Sequence, residues 1–462
     1  MKELGRCGRK SVGGETWPQT GLAYLAAIAL RSGHEARLID AMAEGLTQDQ
    51  TEGRIADWNP DWIIAGTTTP TFKKDAAYLK GLKERHGYTI AFTGTHVTAL
   101  PVESLLEANA DFVFMGEAEL TLERILDRPR EEWTQVPGMC VNIDGEAVKG
   151  PPTELVDDLD YLPYPARHLT PYEVYQMPFS HGEPFATVIP SRGCPYPCTF
   201  CRAGTVWGVN IRTRSVDNLM GELFDLRDNL GINFFAFMTD TFTLRPSWVK
   251  QVMEAMKPHG FRWVCNSRVD TINDDLARAM KEAGCELISF GVESGNPEIL
   301  ESTKKGITLD QVREGVGAAK RAGIMTFCYF IIGLPGETEQ TIQDTIDFAK
   351  ELDPDYCNFH VATPFPGTEL YEQAKREGWL VHEDWDQYEE MGSAVMKTPS
   401  LSPEAAMRAQ TRATRAIYLR PKRIVKELGR MRSMKDVMIR SKAALRLLGV
   451  TQGEPPAVSE VE

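Results

Sequence analysis

The stretch Ser191-Arg-Gly-Cys194-Pro-Tyr-Pro-Cys198-Thr-Phe-Cys201 gathers three of the chain's nine cysteines into one short loop. It directly follows an apolar run at 185–190 with the composition of a β-strand. Three thiolates in such a loop can bind three irons of a cubane [4Fe–4S] cluster and leave the fourth iron open. The alternatives are zinc or three unrelated core thiols. Structural zinc usually takes four ligands, and no second C-x-x-C pair or Cys/His partner lies nearby in the sequence, so the spacing favours the cluster.

The bulk composition is that of an ordinary globular chain, with 42% apolar and 25% charged residues among 462. The net charge is −14, which argues against a general nucleic-acid binder. No apolar run is long enough for a membrane span, and the first residues lack an apolar signal core. We therefore expect a cytoplasmic protein. The other cysteines are scattered and predict no disulfide framework: Cys7, Cys140, Cys265, Cys285, Cys328 and Cys357.

Downstream of the cysteine triplet, β-rich runs alternate with helical stretches as far as about residue 375. The strands are predicted near 185–190, 234–238, 262–265, 287–291, 326–332 and 356–361. Six parallel strands at this spacing predict a partial (β/α)6 barrel over 185–375. The triplet then lies at the mouth formed by the carboxyl ends of the strands, where barrel enzymes carry their chemistry.

Upstream of the barrel, residues 1–126 also alternate between strands and helices. A helix is predicted at 21–30, and strands are predicted at 36–40, 62–66, 89–93 and 112–115. This order predicts a Rossmann-like parallel sheet with helices on both faces, whose ligand lies at the carboxyl ends of the strands. We interpret 127–184 as a connecting segment with little regular structure, and 376–462 as a helical C-terminal region with a polar tail.

The C-x3-C-x2-C spacing, with the aromatic Phe200 before the last cysteine, resembles the signature of the radical S-adenosylmethionine (SAM) superfamily. The resemblance implies that Cys194, Cys198 and Cys201 bind a [4Fe–4S] cluster. In that family SAM chelates the fourth iron and is cleaved to methionine and a 5′-deoxyadenosyl radical. The radical then abstracts a hydrogen atom from the substrate.

Motifs at later strand ends agree with this resemblance. It implies SAM contacts, together with Phe200, from Asp240, Arg268, Glu293, Ser294, Gly333 and Glu337. Asp240 suits the methionyl ammonium group of SAM, because a carboxylate pairs with an ammonium. The alternative is structural: the carboxylates cap the following helices, and the glycines turn the chain.

The N-terminal region resembles the cobalamin-binding domain of many radical SAM enzymes. The resemblance implies cofactor contacts from Trp17, Pro18, Thr67, Thr69, Gly94, His96, Gly116 and Glu117. Cobalamin mutases carry D-x-H-x-x-G with a cobalt-ligating histidine, but residues 5–21 contain no histidine, and a similar pattern at 40–45 has Met42 instead. We therefore expect cobalt without a histidine ligand. Relatives open with an apolar strand that 1–7 does not match, so either the gene begins late or the sheet lacks one strand.

Residues 420–446 hold ten Lys/Arg and two acidic residues, with apolar residues near helical spacing. Such a stretch could rest on an anionic membrane surface and present a lipid substrate. A helix packed on the barrel with a solvated basic face is the favoured interpretation.

The sequence predicts a cobalamin-dependent radical SAM enzyme that transfers methyl to an unactivated carbon. One alternative is an oxidative cyclase resembling the anaerobic magnesium-protoporphyrin monomethyl ester cyclase, and another is a non-catalytic cobalamin or iron–sulfur sensor. The expected partners are a small-molecule or lipid/tetrapyrrole substrate and an electron donor such as flavodoxin or ferredoxin, with no nucleic acid.

Overall fold

The computed structural model describes residues 16–177, 179–180, 182–389 and 392–424. Its N-terminal sheet has five strands that neighbour one another in chain order. They are β1 (Trp62–Gly66), β2 (Thr89–Thr93), β3 (Phe112–Phe114), β4 (Met139–Ile143) and β5 (Glu146–Lys149). The first three strands are parallel, and the last two form an antiparallel hairpin on the side of β3. The strands predicted at 62–66, 89–93 and 112–115 are confirmed.

Helices connect the strands of the N-terminal sheet. They are α1 (Thr20–Arg31), α2 (Gln48–Trp58), α3 (Phe72–His86), α4 (Thr95–Ala99), α5 (Pro101–Glu107) and α6 (Glu119–Ile125). Local chemistry fixes their ends: Thr47 and Gln50 form a capping box at the start of α2, and Gly87 ends α3 in the left-handed conformation. The helix predicted at 21–30 is confirmed as α1.

Two predictions in this region are wrong. The segment after residue 126 is not without regular structure, because the β4–β5 hairpin extends the N-terminal sheet to Lys149. Asp144 and Gly145 both have positive φ, the geometry of a tight two-residue hairpin turn. Residues 36–40 form no strand either. They pair with no strand among the described residues, and the Asp40 carboxylate accepts hydrogen bonds from Ala43 N and the Tyr175 hydroxyl instead.

The second sheet has six parallel strands in the order β13-β12-β11-β10-β9-β6, and a two-stranded ribbon, β7–β8, stands beside it. The strands are β6 (Phe185–Val188), β7 (Ser191–Arg192), β8 (Arg212–Thr213), β9 (Phe234–Phe237), β10 (Arg262–Ser267), β11 (Cys285–Glu293), β12 (Met325–Ile332) and β13 (Tyr356–Val361). All six predicted barrel strands are confirmed. The sheet stays open between β6 and β13, so the barrel is partial.

Helices follow the strands of the barrel and continue beyond it. They are α7 (Ala203–Trp207), α8 (Val216–Leu230), α9 (Pro246–Met256), α10 (Asp274–Glu282), α11 (Pro297–Ser302), α12 (Leu309–Arg321), α13 (Glu339–Leu352), α14 (Glu369–Arg376) and α15 (Pro403–Tyr418). Short 3-10 turns occupy Arg130–Gln135, Leu159–Tyr161, Arg167–Leu169, Tyr172–Val174, Phe242–Leu244, Lys257–His259, Val269–Thr271 and Trp385–Gln387.

Alternation along the strands separates the two faces of the barrel sheet. In β9, Phe235 and Phe237 belong to the main core with the helices, whereas Phe234 and Ala236 belong to a smaller cluster that includes Trp17 and Tyr175. Period-two alternation puts successive side chains on opposite faces. Chain segments from outside the barrel, around Trp17 and Tyr175, therefore pack against the sheet face that the core helices do not cover.

The C-terminal helix α15 packs on the barrel, where the Gln410 side chain donates to the Phe359 carbonyl at 3.1 Å. Just beyond it, Arg420 pairs with Asp353 at 2.6 Å, and Arg423 donates to the Pro354 carbonyl. The rest of the basic stretch, 425–446, lies outside the described residues. In the part of the chain that the structure describes, no helix has the length and apolar character needed to cross a membrane.

Candidate active site

The cysteine loop, residues 193–201, leaves the β7–β8 ribbon at the end of β6. Gly193 has φ of 96°, and a Cβ there would lie 2.1 Å from the Asn210 carbonyl oxygen, so only glycine fits. Backbone hydrogen bonds then fix the loop. Cys194 N donates to the Gly208 carbonyl at 3.1 Å, and Cys201 N donates to the Cys198 carbonyl at 3.1 Å. The three thiols are thereby held on one rigid turn.

The donor set of this loop fits an iron–sulfur cluster. Cys194 is buried, Cys198 and Cys201 are half-buried, and none forms a disulfide. Burial raises the pKa of Cys194 to about 11, and the charges of Asp240, Cys201 and Cys198 make smaller contributions in the same direction. Among the described residues no three His, Cys, Asp or Glu side chains converge on a single ion. A cubane cluster instead places each thiolate on a different iron.

Arg268 lies beside this loop. Its guanidinium stacks 3.5 Å from the centre of the Tyr196 ring and forms two hydrogen bonds with Asp270, of 2.9 and 3.0 Å. A third hydrogen bond reaches the Lys305 carbonyl at 3.0 Å. Arg268 therefore supports the loop through Tyr196, and a direct contact with SAM stays a prediction.

Glu293 ends β11 with a positive φ of 69°, a conformation that non-glycine residues rarely adopt and that is often found at functional sites. Its carboxylate accepts a hydrogen bond of 2.6 Å from the Lys305 ammonium, and both side chains are buried. Burial alone would lower the pKa of Lys305, but the charges of Glu293 and Cys198 raise it. The lysine thus stays charged next to the cysteine loop.

The other predicted SAM contacts lie around the same strand ends. Ser294 is fully buried, and its hydroxyl lies 3.1 Å from the Thr345 hydroxyl and accepts from Asn296 N, so it closes the end of β11. Asp240 is half-buried after β9, near Cys194. Phe200 packs with Ile299 and other residues of an apolar cluster. Whether these residues contact SAM stays a prediction.

Glu337 faces the turn that follows β12. One oxygen accepts hydrogen bonds from Gly333 N and Leu334 N, and the other is buried with no hydrogen-bond partner. Burial raises the pKa of Glu337 to about 7. Glu337 therefore stabilises the turn at Gly333 with one oxygen, while its second oxygen is available to a further hydrogen-bond donor.

In the N-terminal sheet, the loops after β1 and β2 are in contact. Gly94 has φ of 126°, and a Cβ there would lie 2.2 Å from the Thr67 carbonyl oxygen. The Thr67 hydroxyl donates to Asp75 at 2.8 Å, and Thr69 Oγ1 lies 3.3 Å from His96 Nδ1. These predicted cofactor residues therefore do meet at one edge of the sheet, as parallel strands require.

His96 is buried between aromatic rings. Its ring lies 4.4 Å from that of Phe72 and 5.2 Å from that of Trp385, between ring centres. Burial, with a smaller contribution from Arg202, lowers the pKa of His96 to about 3, so the imidazole is neutral. Because Arg202 donates to the Thr69 hydroxyl at 3.2 Å, that hydroxyl is free to donate to His96 Nδ1.

Gly116 and Glu117 follow β3. Gly116 has a positive φ, and its amide donates to the Thr98 hydroxyl. Both oxygens of Glu117 accept hydrogen bonds from Arg212, at 2.7 and 2.9 Å, and Val156 N donates to one of them. The structure assigns this carboxylate to the contact with the β7–β8 ribbon, and a contact with cobalamin stays a prediction.

Trp17 and Pro18 lie at the start of β6. The Trp17 ring meets the Phe185 ring edge-on at 5.3 Å, and Pro18 lines a small cavity with Phe185. Their contact with cobalamin stays a prediction.

Sequence reasoning missed five residues at the site: Tyr196, Arg202, Lys305, Arg192 and Arg212. Tyr196 and Arg202 lie inside or next to the quoted motif, so their position was a usable signal. Lys305 reaches Glu293 across 12 residues, and no local pattern marks such a pair.

Known protein families match both domains of the chain. The family profile of the Radical SAM superfamily matches residues 188–349, and that of the B12 binding domain matches residues 8–126. An uncharacterized methyltransferase from Pyrococcus horikoshii is 36% identical over 91% of this chain and 92% of its own. The bacteriochlorophyllide d C-12(1)-methyltransferase of Chlorobaculum tepidum is 33% identical over 71% of this chain and 68% of its own.

A solved structure shares the fold. The radical SAM methyltransferase TsrM from Kitasatospora setae, with cobalamin and a [4Fe–4S] cluster bound, superposes with a TM-score of 0.70 at 15% identity. The match covers 94% of this chain and 97% of that one. At this identity the likeness concerns the fold alone.

The fold and the cysteine loop define a radical SAM enzyme with a B12-binding domain. The chain belongs to the radical SAM superfamily, in the group with cobalamin-dependent methyltransferases. The first domain implies cobalamin, and the second implies a [4Fe–4S] cluster and SAM. The exact boundaries at 126, 184 and 375 stay predictions.

Proposed function

We propose that this enzyme transfers a methyl group to an unactivated carbon atom of its substrate. The observation that carries the proposal is the contact of 3.2 Å between Arg202, next to Cys201, and Thr69 in the B12-binding domain. It brings the predicted cluster ligands and the predicted cobalamin loops against one another. The relation to a bacteriochlorophyllide methyltransferase supports the same reaction class.

When bound, the cluster supplies the electron that cleaves SAM, and cobalamin carries the methyl group. In this proposal Cys194, Cys198 and Cys201 hold the cluster. Asp240 receives the SAM ammonium group, because a carboxylate is the natural partner of an ammonium. Thr67, Thr69 and Gly94 hold cobalamin at the edge of the N-terminal sheet, where ligands of such sheets bind.

The pair Glu293 and Lys305 adds a specific polar group to this site. Lys305 keeps its positive charge under the influence of Cys198, and Glu293 is held in a strained backbone conformation at the end of β11. We propose that Glu293 orients SAM and that Lys305 balances the negative charge of the thiolate-bound cluster.

The test follows the methyl group of SAM. The protein, reconstituted without oxygen, is incubated with a strong reductant, methyl-deuterated SAM and extracts of the source cells, and products that carry the label are sought by mass spectrometry. A product heavier by one labelled methyl supports the proposal. An unlabelled product that has lost hydrogen supports the oxidative cyclase, and absence of SAM cleavage supports the sensor.

The partners belong to the same proposal. The substrate is a small molecule, with lipids and tetrapyrroles as the classes to examine first, and the electron donor is a flavodoxin or a ferredoxin. We propose a cytoplasmic location, since reduced cysteines and a reducible cluster require a reducing compartment.

A further inference from the structure

Two buried arginines bracket the cysteine loop, and both reach the B12-binding domain. Arg192 precedes Cys194 by two residues, and Arg202 directly follows Cys201. Their exposed fractions are 3% and 7%. Each end of the cluster loop is therefore attached to the other domain by a guanidinium group.

At the first end, four charges are buried together. Arg192 donates to Glu119 at 2.6 Å and lies 3.5 Å from Glu117, while Arg212, its neighbour on the ribbon, donates to both oxygens of Glu117. Two arginines from the ribbon thus balance two glutamates that follow β3. Tyr24 of α1 adds an aromatic face, with its ring centre 5.5 Å from the Arg192 guanidinium.

At the second end, the contact with the B12-binding domain is made to a hydroxyl group. Arg202 donates to the Thr69 hydroxyl, which in turn lies 3.3 Å from His96. The Arg202 guanidinium also stacks on the ring of Phe365, 4.6 Å from its centre. Thr69 and His96 follow β1 and β2, so this end contacts the predicted cobalamin edge.

Buried ion pairs add little net stability, but they define geometry sharply. Apolar surfaces can slide with little loss, whereas displacing a buried charge from its partner leaves an uncompensated charge. Guanidinium groups with several directed hydrogen bonds restrict orientation further. Directed guanidinium contacts at both ends of one short loop, an ion-pair cluster at Arg192 and a hydroxyl at Arg202, favour a role in alignment over a role in bulk stability.

We propose that Arg192 and Arg202 are positioning residues that hold the cluster loop at a fixed orientation to the strand ends of the B12-binding domain. The proposal rests on the assignment of the cluster to the cysteine loop and of cobalamin to that domain. It predicts that loosening either end changes the distance between the two cofactors without releasing them.

The test uses Glu119→Gln in the enzyme loaded with cluster and cobalamin, because this change lies outside the cysteine loop. Iron and cobalamin content should match wild type. Amide hydrogen exchange across residues 191–213 should become about tenfold faster, and the magnetic interaction between Co(II) and the reduced cluster should change in the paramagnetic resonance spectrum.

Asp111→Asn is the matched control. Asp111 is buried like Glu119 and pairs with Lys83 and Arg130, but it precedes β3, whereas Glu117 and Glu119 follow that strand. The variant should speed exchange at Ile90, whose amide donates to Asp111, and leave the magnetic interaction unchanged.

Phe365→Leu provides a second variant if Glu119→Gln fails to fold, since it removes the ring on which Arg202 stacks and leaves every residue assigned to a cofactor unchanged. Faster exchange at 199–207 and an altered magnetic interaction support the proposal. Wild-type exchange in the loop and a wild-type interaction in the folded variants would overturn it. A change of the same size in Asp111→Asn would also overturn it, because the effect would then be one of general stability.

Discussion

The ammonium group of Lys305 lies 2.6 Å from the carboxylate of Glu293, and both side chains are more than nine-tenths buried. The pair joins the end of β11 to the segment after α11, and the charge of Cys198 acts on Lys305. Removing one partner of such a pair leaves a buried charge without compensation, which costs about 3–5 kcal/mol.

Lys305→Met should therefore lower the free energy of unfolding by about 3–5 kcal/mol in the apoprotein, and the double variant with Glu293→Gln should recover part of this loss. Urea denaturation measures both. Lys304→Met is the matched control, because Lys304 forms an exposed ion pair with Glu369, and such pairs contribute about 1 kcal/mol or less. Equal losses at the two neighbouring lysines would contradict the burial argument.

Glu293→Gln and Asp240→Asn should weaken SAM binding while the cluster stays intact. Both carboxylates lie at strand ends that face the cysteine loop. Iron content and SAM affinity are measured on the same preparations, with affinity from isothermal titration. If the affinity for SAM is unchanged in both variants, these carboxylates have a purely structural role.

Gly193→Ala should reduce the bound iron per chain several-fold. The added Cβ meets the Asn210 carbonyl at 2.1 Å in a backbone conformation that alanine avoids, so the loop must move. Gly204→Ala is the control in α7 on the other side of the loop, where the nearest atom lies 3.7 Å away. Iron analysis should show a full cluster in the control, and a full cluster in both variants would contradict the rigid-loop account.

Glu337 should make stability fall as the pH rises. Its pKa is raised by burial from 4.5 to about 7, so its protonated form is favoured in the folded protein. The associated stability is fully present below pH 4.5 and is lost as the pH rises through 7. The free energy of unfolding of Glu337→Gln, relative to that of wild type, should therefore increase by up to about 3 kcal/mol between pH 5 and pH 8. Urea denaturation at several pH values measures this difference in free energy of unfolding. If the difference does not change with pH, Glu337 does not titrate in this range.

Cobalamin should bind without a histidine ligand to cobalt. His96 is packed between Phe72 and Trp385, with Nδ1 directed at Thr69. We expect no nitrogen hyperfine splitting from the protein in the Co(II) spectrum, and the same spectrum in His96→Gln. Splitting that disappears in the variant would identify His96 as a ligand.

Much of the fold could be predicted because the periodicity of each strand is local. Six barrel strands and three strands of the N-terminal sheet are where apolar runs predict them. The β4–β5 hairpin had a clear signal in Asp144-Gly145 between alternating runs, which the Pro- and Asp-rich composition around it obscured. The error at 36–40 is different, since strand formation depends on a neighbour that no local pattern specifies.

The candidate site could be predicted only in part. The three cysteines lie within one loop, so their spacing can be read directly from the sequence. The pairing of Arg192 with Glu119 joins residues 73 positions apart and depends on how two domains meet. Buried charges resemble surface charges in a sequence, and only the fold distinguishes them.

The most direct test of the account is reductive cleavage of SAM by the protein reconstituted with iron and sulfide in the absence of oxygen. We predict one [4Fe–4S] cluster per chain and formation of 5′-deoxyadenosine, with both lost when Cys194, Cys198 and Cys201 are changed to alanine together. The Cys140→Ala and Cys328→Ala variants should behave as wild type. A triple variant that retains the cluster and still forms 5′-deoxyadenosine would contradict the assignment of the active site.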